Sequence, residues 1–167
     1  MQHIHSSFAL RKYNTFHVSA QARLFAEPRT LEDLFEILDE TGHREMDFFI
    51  MGEGSNLLFV NDFPGFILHP GFGGMETVDE SHSEVLVRAG AGENWDKFVD
   101  WCVSRGYHGT ENLSLIPGSV GSAPVQNIGA YGREAREIIQ EVEVFDLATQ
   151  TLRRLSNQEC EFGYRDS

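Results

Sequence analysis

The chain has 167 residues, 41% of them hydrophobic and 23% charged, which suits one globular domain or two small lobes with a usable core. Twenty-six acidic against 13 basic side chains leave a formal net charge of -13, which argues against a nucleic-acid partner, because that role needs a cationic footprint. No stretch approaches the roughly 20 apolar residues of a membrane span and residues 1–8 lack the basic-then-apolar order of a secretory signal, so no membrane association and a cytoplasmic location are expected.

In chain order, residues 23–27 read as a short strand. Pro28 and then Thr30, with Asp33 three positions on, form a capping-box-like helix start. Leu31, Leu34, Phe35 and Leu38 recur at helical spacing, Glu32, Asp33, Glu36 and Asp39 supply the wet face, and Gly42 is the expected stop. Residues 48–51 form a compact apolar run suited to a buried strand. A glycine-rich pentapeptide follows, the apolar run resumes over residues 57–60, and residues 66–68 suggest a further strand. The break at residues 71–74, rich in glycine, is where a boundary between lobes is expected, giving a first lobe over 1–72 and a second over 73–167.

In the second lobe residues 85–89 alternate as a strand. Trp95, Phe98, Val99, Cys102 and Val103 mark one face of a helix that Gly106 ends. Residues 107–131 have neither steady period nor high polarity, and a stretch that long and irregular inside a compact domain points to function. Val142, Val144 and Phe145 lead to a turn at residues 147–150, with 151–155 as hairpin partner, and Ser156 is the expected N-cap of a short turn ending at Cys160.

The chemistry concentrates where the glycines do. Fourteen of the 16 glycines lie between Gly52 and Gly132, and an acidic protein can still hold phosphates if it offers backbone N–H groups at turns in place of lysines. In the first segment, Gly52-Glu53-Gly54-Ser55-Asn56, two glycines after a buried strand permit tight turning and close backbone approach. Taken alone, an ordinary turn between strands explains the pentapeptide equally well. The second segment, Ile116-Pro117-Gly118-Ser119-Val120-Gly121-Ser122-Ala123-Pro124, continues into Val125-Gln126-Asn127-Ile128-Gly129-Ala130-Tyr131-Gly132. Its small residues let backbone pass close to a flat ring and a phosphate chain, while Gln126 and Asn127 can satisfy ring carbonyls and nitrogens without adding charge. Ligand contact is favoured there over a purely structural loop.

These segments, with Gly90-Ala91-Gly92-Glu93-Asn94-Trp95, Glu111-Asn112-Leu113 and Phe162-Gly163-Tyr164-Arg165-Asp166-Ser167, occur in the order characteristic of UDP-N-acetylenolpyruvoylglucosamine reductases, and the chain resembles the N-terminal half of that family. The resemblance implies an α+β FAD-binding fold of the vanillyl-alcohol-oxidase type, two lobes clasping the flavin nucleotide. Cofactor contact is then expected from Gly52, Glu53, Gly54, Ser55, Asn56, Leu57, Ile116, Pro117, Gly118, Ser119, Gly121, Ser122, Gln126, Asn127, Gly129, Ala130 and Tyr131. It further implies NADPH as reductant of the FAD, hydride delivery to the enolpyruvyl double bond of a UDP-sugar, and a product used in peptidoglycan synthesis. Arg165 matches the family's catalytic arginine, where fixed positive charge would stabilise an enolate beside the substrate carboxylate, and Tyr164 would support it. Without the resemblance, Arg165 serves equally as a surface ion pair with Asp166 or another acid. The family's proton-donating serine and assisting glutamate would belong to segments beyond Ser167, so the chain by itself is expected not to turn over substrate. A monomer is expected.

Other features receive structural readings. His3, His5, His17, His43, His69, His82 and His108 show no ligand spacing, so surface or packing roles and no metal are expected. Cys102 and Trp95 lie on the apolar helix face and are assigned to the core, Trp101 lies off it, and residues 134–143 mix charge signs as a solvated face. The competing functions are an FAD-linked sugar or alcohol oxidase, disfavoured by the lack of a histidine in a covalent-flavin motif, and a non-catalytic flavin-binding module.

Overall fold

The computed structural model describes residues 4–42 and 46–167. Strands β1 (Ile4–Ala9), β2 (Gln21–Ala26), β3 (Phe48–Ile50) and β4 (Phe63–Leu68) form one sheet in the order β1-β2-β4-β3. β1 runs antiparallel to β2, whereas β2 and β3 both run parallel to β4. Parallel neighbours need a crossover. Helix α1 (Leu31–Thr41) carries the chain from β2 across to β3, on the far side of β4, making the strand-helix-strand layer expected from the sequence. Strand β1, absent from the sequence-based elements, adds an edge.

The start of α1 has the local chemistry expected. Thr30 Oγ1 accepts from the Asp33 N–H at 3.1 Å, and the Asp33 carboxylate accepts from the N–H groups of Thr30 at 3.0 Å and Arg29 at 2.9 Å. Gly42 ends the helix with φ of 58°, the left-handed conformation that glycine adopts most easily.

Alternation along β2 and β4, with a register shift between Ala22 and Leu24, sorts side chains between two faces. Leu10, Ala22, Phe25, Met51 and Ile67 build one cluster, while Ala26, Phe66 and Leu68 pack with Leu34, Ile37 and Leu38 of α1 in the other. In the first, the Phe8 and Phe25 rings stack 4.0 Å apart, and Tyr13 and His69 close around them. Residues 57–60, an apolar run in sequence, form no strand: Leu57 and Phe59 pack on this cluster and Leu58 and Val60 face out.

Strands β5 (Met75–Glu80) and β6 (Val85–Ala89) form an antiparallel pair, and helix α2 (Trp95–Val103) follows. Its last turn closes as a Schellman motif: the Tyr107 N–H bonds the Cys102 carbonyl at 3.0 Å and the Gly106 N–H that of Val103 at 2.9 Å, with Gly106 at φ 75°. Trp95, Phe98, Val99 and Cys102 turn inward with Leu113 and Ala123, forming a third cluster, and burial pushes the Cys102 thiol up. Trp101 is half-buried, under the Arg105 guanidinium at 4.1 Å.

A minimal hairpin, β7 (Gly129–Ala130) with β8 (Arg133–Glu134), precedes the longer hairpin of β9 (Glu141–Asp146) and β10 (Thr151–Ser156). The segment expected to be a solvated face contains Ala135, which is fully buried. Phe145 and Leu147 reach back to the α1 cluster, where the Phe145 ring meets Phe35 edge-on at 5.3 Å. Beyond β10, Ser156 and Glu159 exchange hydrogen bonds around the turn that ends near Cys160. Among the described residues no helix is long and apolar enough to cross a membrane.

Candidate flavin site

The two glycine-rich segments, more than 60 positions apart in sequence, are adjacent. Ser55 Oγ donates to the Pro117 carbonyl at 3.3 Å, and Asn56 Nδ2 to Gln126 Oε1 at 3.4 Å. The first segment leaves β3 at buried Met51, whose N–H bonds the Leu68 carbonyl and whose own carbonyl meets His69 Nδ1, both at 2.9 Å. Gly54 then turns with φ of 64°, and a Cβ there would stand 2.2 Å from the Tyr13 carbonyl oxygen. At Gly52 a Cβ would reach 3.0 Å from Ser119 Oγ. Gly54 is therefore required by space and by conformation, whereas at Gly52 a Cβ would press only on the serine side chains of the second segment.

Residues 90–94, between β6 and α2, join these segments into one frame. The backbone of residues 91–95 bonds the second segment, Gly121 N–H to Ala91 at 2.9 Å, Val120 N–H to Glu93 at 2.8 Å and Trp95 N–H to Gly118 at 2.9 Å, and Gly92 N–H bonds Phe72 at 2.8 Å. Asn94 does two further jobs. Its Oδ1 accepts from the Lys97 N–H at 3.0 Å, capping α2, and its Nδ2 donates to both oxygens of Glu53 at 2.9 and 3.1 Å. The carboxylate in the first segment is thus held by a neutral amide.

What the frame offers a ligand is mainly backbone. Among the described residues, the N–H groups of Gly52, Glu53, Gly54, Ser55, Asn56 and Gly118 have no protein acceptor, and such groups at successive turns make an anion-binding concavity. Ser119 and Ser122 tie themselves together, the Ser119 N–H donating to Ser122 Oγ at 3.1 Å and the Ser122 hydroxyl to the Ser119 carbonyl at 2.8 Å. Ile116 and Pro117 enter the same loop, Leu57 leaves the first, and Gly121 sits where a Cβ would come 2.6 Å from that of Ala91. This donor set fits an extended dinucleotide with a diphosphate at its centre.

The remaining expected site residues gather around β7. Tyr131 and Gly132 form its two-residue turn, both with positive φ, 52° and 77°, and Tyr131 is 89% exposed. A bulky residue in that conformation is strained. Tyr164 is 86% exposed. Arg165, also at positive φ, 58°, donates from its guanidinium to the Gly129 carbonyl at 3.0 Å and not to Asp166. Asn127 is 1% exposed and its side chain is committed to protein partners. A groove along α2, lined by Asp96, Lys97, Asp100 and Glu111, contains none of the glycine-rich segments. Beside it, hydrogen bonds from the N–H groups of Glu111 and Gly109, then His108, pull the Glu111 carboxyl down to about 2.

The histidines contribute packing and surface contacts. His69 lies under Tyr13 and His108 pairs with Glu111 at 2.8 Å, while His3 and His43 lie outside the described residues. Among the described residues no cluster of three metal-ligating side chains occurs.

The α+β frame and the backbone-lined cradle define a flavin-nucleotide-binding domain. The chain belongs to the FAD binding domain family, whose profile matches residues 22–156. It is 46% identical over 154 residues to the UDP-N-acetylenolpyruvoylglucosamine reductase of Alcanivorax borkumensis, covering 92% of this chain and 44% of that protein. With the enzyme of the same name from Pseudomonas syringae pv. tomato it shares 44% over 165 residues, 99% of this chain and 49% of that one. The fold superposes on the crystal structure of UDP-N-acetylenolpyruvylglucosamine reductase from Thermus caldophilus with a TM-score of 0.74 at 25% identity, covering 98% of this chain and 55% of that one. The chain spans about half the length of the curated relatives it matches.

Proposed function

We propose that this chain is the FAD-binding portion of a cytoplasmic, NADPH-dependent oxidoreductase that converts UDP-N-acetylglucosamine enolpyruvate to UDP-N-acetylmuramate for peptidoglycan synthesis. The observation that carries the reading is the similarity to reductases of that name, at 44–46% identity along 92–99% of the chain. In it the protein acts as a monomer, with one lobe ending and the other beginning near residues 71–74. The nucleotide sugar and NADPH engage the longer assembly, because the relatives are about twice as long as this chain.

FAD, when bound, would carry hydride from the nicotinamide to the enolpyruvyl carbon. The chain's own residues hold and orient. The unpaired N–H groups of residues 52–56 and Gly118 take the diphosphate, the small residues of 116–122 allow close backbone approach, and Gln126, Gly129, Ala130 and Tyr131 line the ring end. Glu53 keeps Asn94 aligned, so the first segment stays fixed to the N-terminus of α2. Arg165 presents a planar, permanently charged fork to the substrate carboxylate, where two parallel hydrogen bonds strengthen as charge develops on the adjacent carbon. Tyr164, beside it, closes over the same group.

A second reading, a flavin-binding module without turnover of its own, is favoured by the half-length coverage. Titration of the purified chain with FAD tests what both share. Binding quenches flavin fluorescence and, at about 100 times Kd, adds about 2.7 kcal/mol of stability. A folded chain that binds no flavin at high micromolar FAD sinks both readings. NADPH oxidation dependent on the enolpyruvyl nucleotide separates them.

A further inference from the structure

Asn127 has the residue type of a ligand contact, but its surroundings assign it other work. It is buried to 1% exposure, and its backbone is at φ 38°, a region that asparagine tolerates better than most residues. Its carboxamide makes three hydrogen bonds to protein: Nδ2 donates to the Gly163 carbonyl at 2.8 Å and to Glu134 Oε2 at 3.2 Å, and Oδ1 accepts from the Arg136 N–H at 3.0 Å. Two acceptors facing the nitrogen and one N–H facing the oxygen fix which way the amide points.

Gly163 opens the turn that carries Tyr164 and Arg165. That turn is closed on itself by a single bond, from the Gly163 N–H to the Asp166 carbonyl at 2.9 Å. Its tip is exposed and Arg165 is in a left-handed conformation, so its own residues hold it poorly. Three bonds fasten it to residues 125–129: Asn127 to Gly163, the Arg165 guanidinium to Gly129, and the Ser167 hydroxyl to the Val125 carbonyl at 3.3 Å. Asn127 provides the buried one. Glu134, ion-paired with Arg136 at 2.7 Å, holds the second amide proton and so orients the first.

We propose that Asn127 is a positioning residue that docks the 163–166 turn, setting where Arg165 presents its guanidinium, and that its side chain is not a flavin ligand. The inference rests on the reading of Arg165 as the substrate-facing cation. Asparagine is specified at 127 because one nitrogen must donate to both a carbonyl and a carboxylate. Aspartate keeps the size, the backbone tolerance and the bond from Arg136, but loses both donors and places a like charge against Glu134. The charged group that bonds the side chain at position 127 is Glu134, itself ion-paired with Arg136.

The test is NMR relaxation on the labelled chain, with FAD titration of the same samples, for wild type, Asn127→Asp, Asn127→Ser and Arg165→Ala. In wild type the amides of residues 163–166 are expected near the order parameter of rigid backbone, about 0.85, and in both Asn127 variants at pH 8.5 below about 0.6. FAD affinity is expected to stay within about threefold of wild type, because the side chain does not touch flavin. Lowering the pH to about 5.5 is expected to restore part of the order, and in Asn127→Asp alone, since a protonated carboxyl regains one donor, shared between Gly163 and Glu134, where asparagine has two. A turn that stays ordered in both variants, or a loss of FAD affinity above tenfold, overturns the proposal, and failure of Asn127→Asp to recover order removes the donor bond as its basis. Arg165→Ala is expected to leave the Asn127 to Gly163 bond and most of the turn's order intact. The turn is measured without substrate or flavin, so failure of FAD to bind would remove the functional reading and leave the docking result standing.

Discussion

Replacing Gly54 by alanine tests the cradle, because the structure supplies its own control. Gly54 and Gly42 both have positive φ, 64° and 58°, but a Cβ at Gly42 meets nothing within 4 Å, whereas at Gly54 it lies 2.2 Å from the Tyr13 carbonyl oxygen and 3.0 Å from the Asn14 Cα. The conformational cost is shared, about 1 kcal/mol for each. The clash belongs to Gly54 alone. Backbone atoms must separate by about 1 Å to reach ordinary contact, and forced overpacking costs about 1–3 kcal/mol. For a chain of this size each kcal/mol moves the melting temperature by about 2–4 °C, so Gly42→Ala is expected to lower Tm by about 2–4 °C and Gly54→Ala by about 5–15 °C. The loop relieves the clash by moving off Tyr13, and FAD must draw it back, so Kd should rise from about fivefold to about a hundredfold in Gly54→Ala and stay unchanged in Gly42→Ala. Thermal melts and flavin-fluorescence titrations measure both. Equal losses in the two variants would show that the close approach at Gly54 carries no weight.

Asn94→Ala removes the α2 cap and the partner of Glu53 together, so unfolding free energy should fall by about 2 kcal/mol and FAD affinity with it, whereas Glu53→Gln alone should retain most of both because its amide oxygen still accepts from Asn94; urea melts with flavin titration check this. Arg165→Ala, in the longer form that turns over the enolpyruvyl nucleotide, should lower kcat/KM at least about a hundredfold with FAD affinity unchanged, and near-normal turnover would remove Arg165 from the mechanism. The Glu111 carboxyl, at about 2 in the folded chain against 4.5 ordinarily, stabilises fully above pH 4.5, and that contribution is lost as pH falls toward 2. Glu111→Gln should therefore be less stable than wild type at pH 7 and converge on it near pH 2–3, read from urea midpoints. Because the cradle is built of N–H groups and the surrounding chain is acidic, FAD affinity should stay level or rise from about 20 to about 300 mM salt, and a tenfold fall would indicate a cationic phosphate site.

How much was legible in sequence depends on how local the cause is. The cap of α1 is written in Thr30 and Asp33, three residues apart, and its stop in Gly42, so both ends were readable. Strand β5 was not, because Met75-Glu76-Thr77-Val78-Asp79-Glu80 is exposed along nearly its whole length and carries no alternation. Strand β1 reads poorly because it buries little beyond Ile4 and Phe8, with Ser7 at positive φ between them. β7 and β8 have two residues each, too few for any period. At the site the same rule holds. Glycine content marked the two segments individually, but their union through residues 90–94, and the Glu53 to Asn94 bond, depend on tertiary contacts. Asn127 shows the limit most clearly, since an amide suited to a flavin ring is equally suited to a buried carbonyl and carboxylate.

The acidity of the chain, first a reason to exclude nucleic acid, also bears on how a single cation can act here. Arg29, Arg88, Arg133, Arg136, Arg153 and Arg154 each lie within ion-pair distance of an aspartate or glutamate, so their charge is locally neutralised. Arg165 is tethered differently, to the neutral carbonyl of Gly129, with the turn beneath it held by the neutral amide of Asn127. A carbonyl fixes direction without cancelling charge. In the function proposed above, an arriving carboxylate would then meet a guanidinium whose charge is not already paired and whose orientation is already set, so little of the binding energy would be spent on reorganisation. In a chain with twice as many acids as bases, a guanidinium held by a carbonyl and not by the adjacent carboxylate of Asp166 suits the anion-binding role proposed for it.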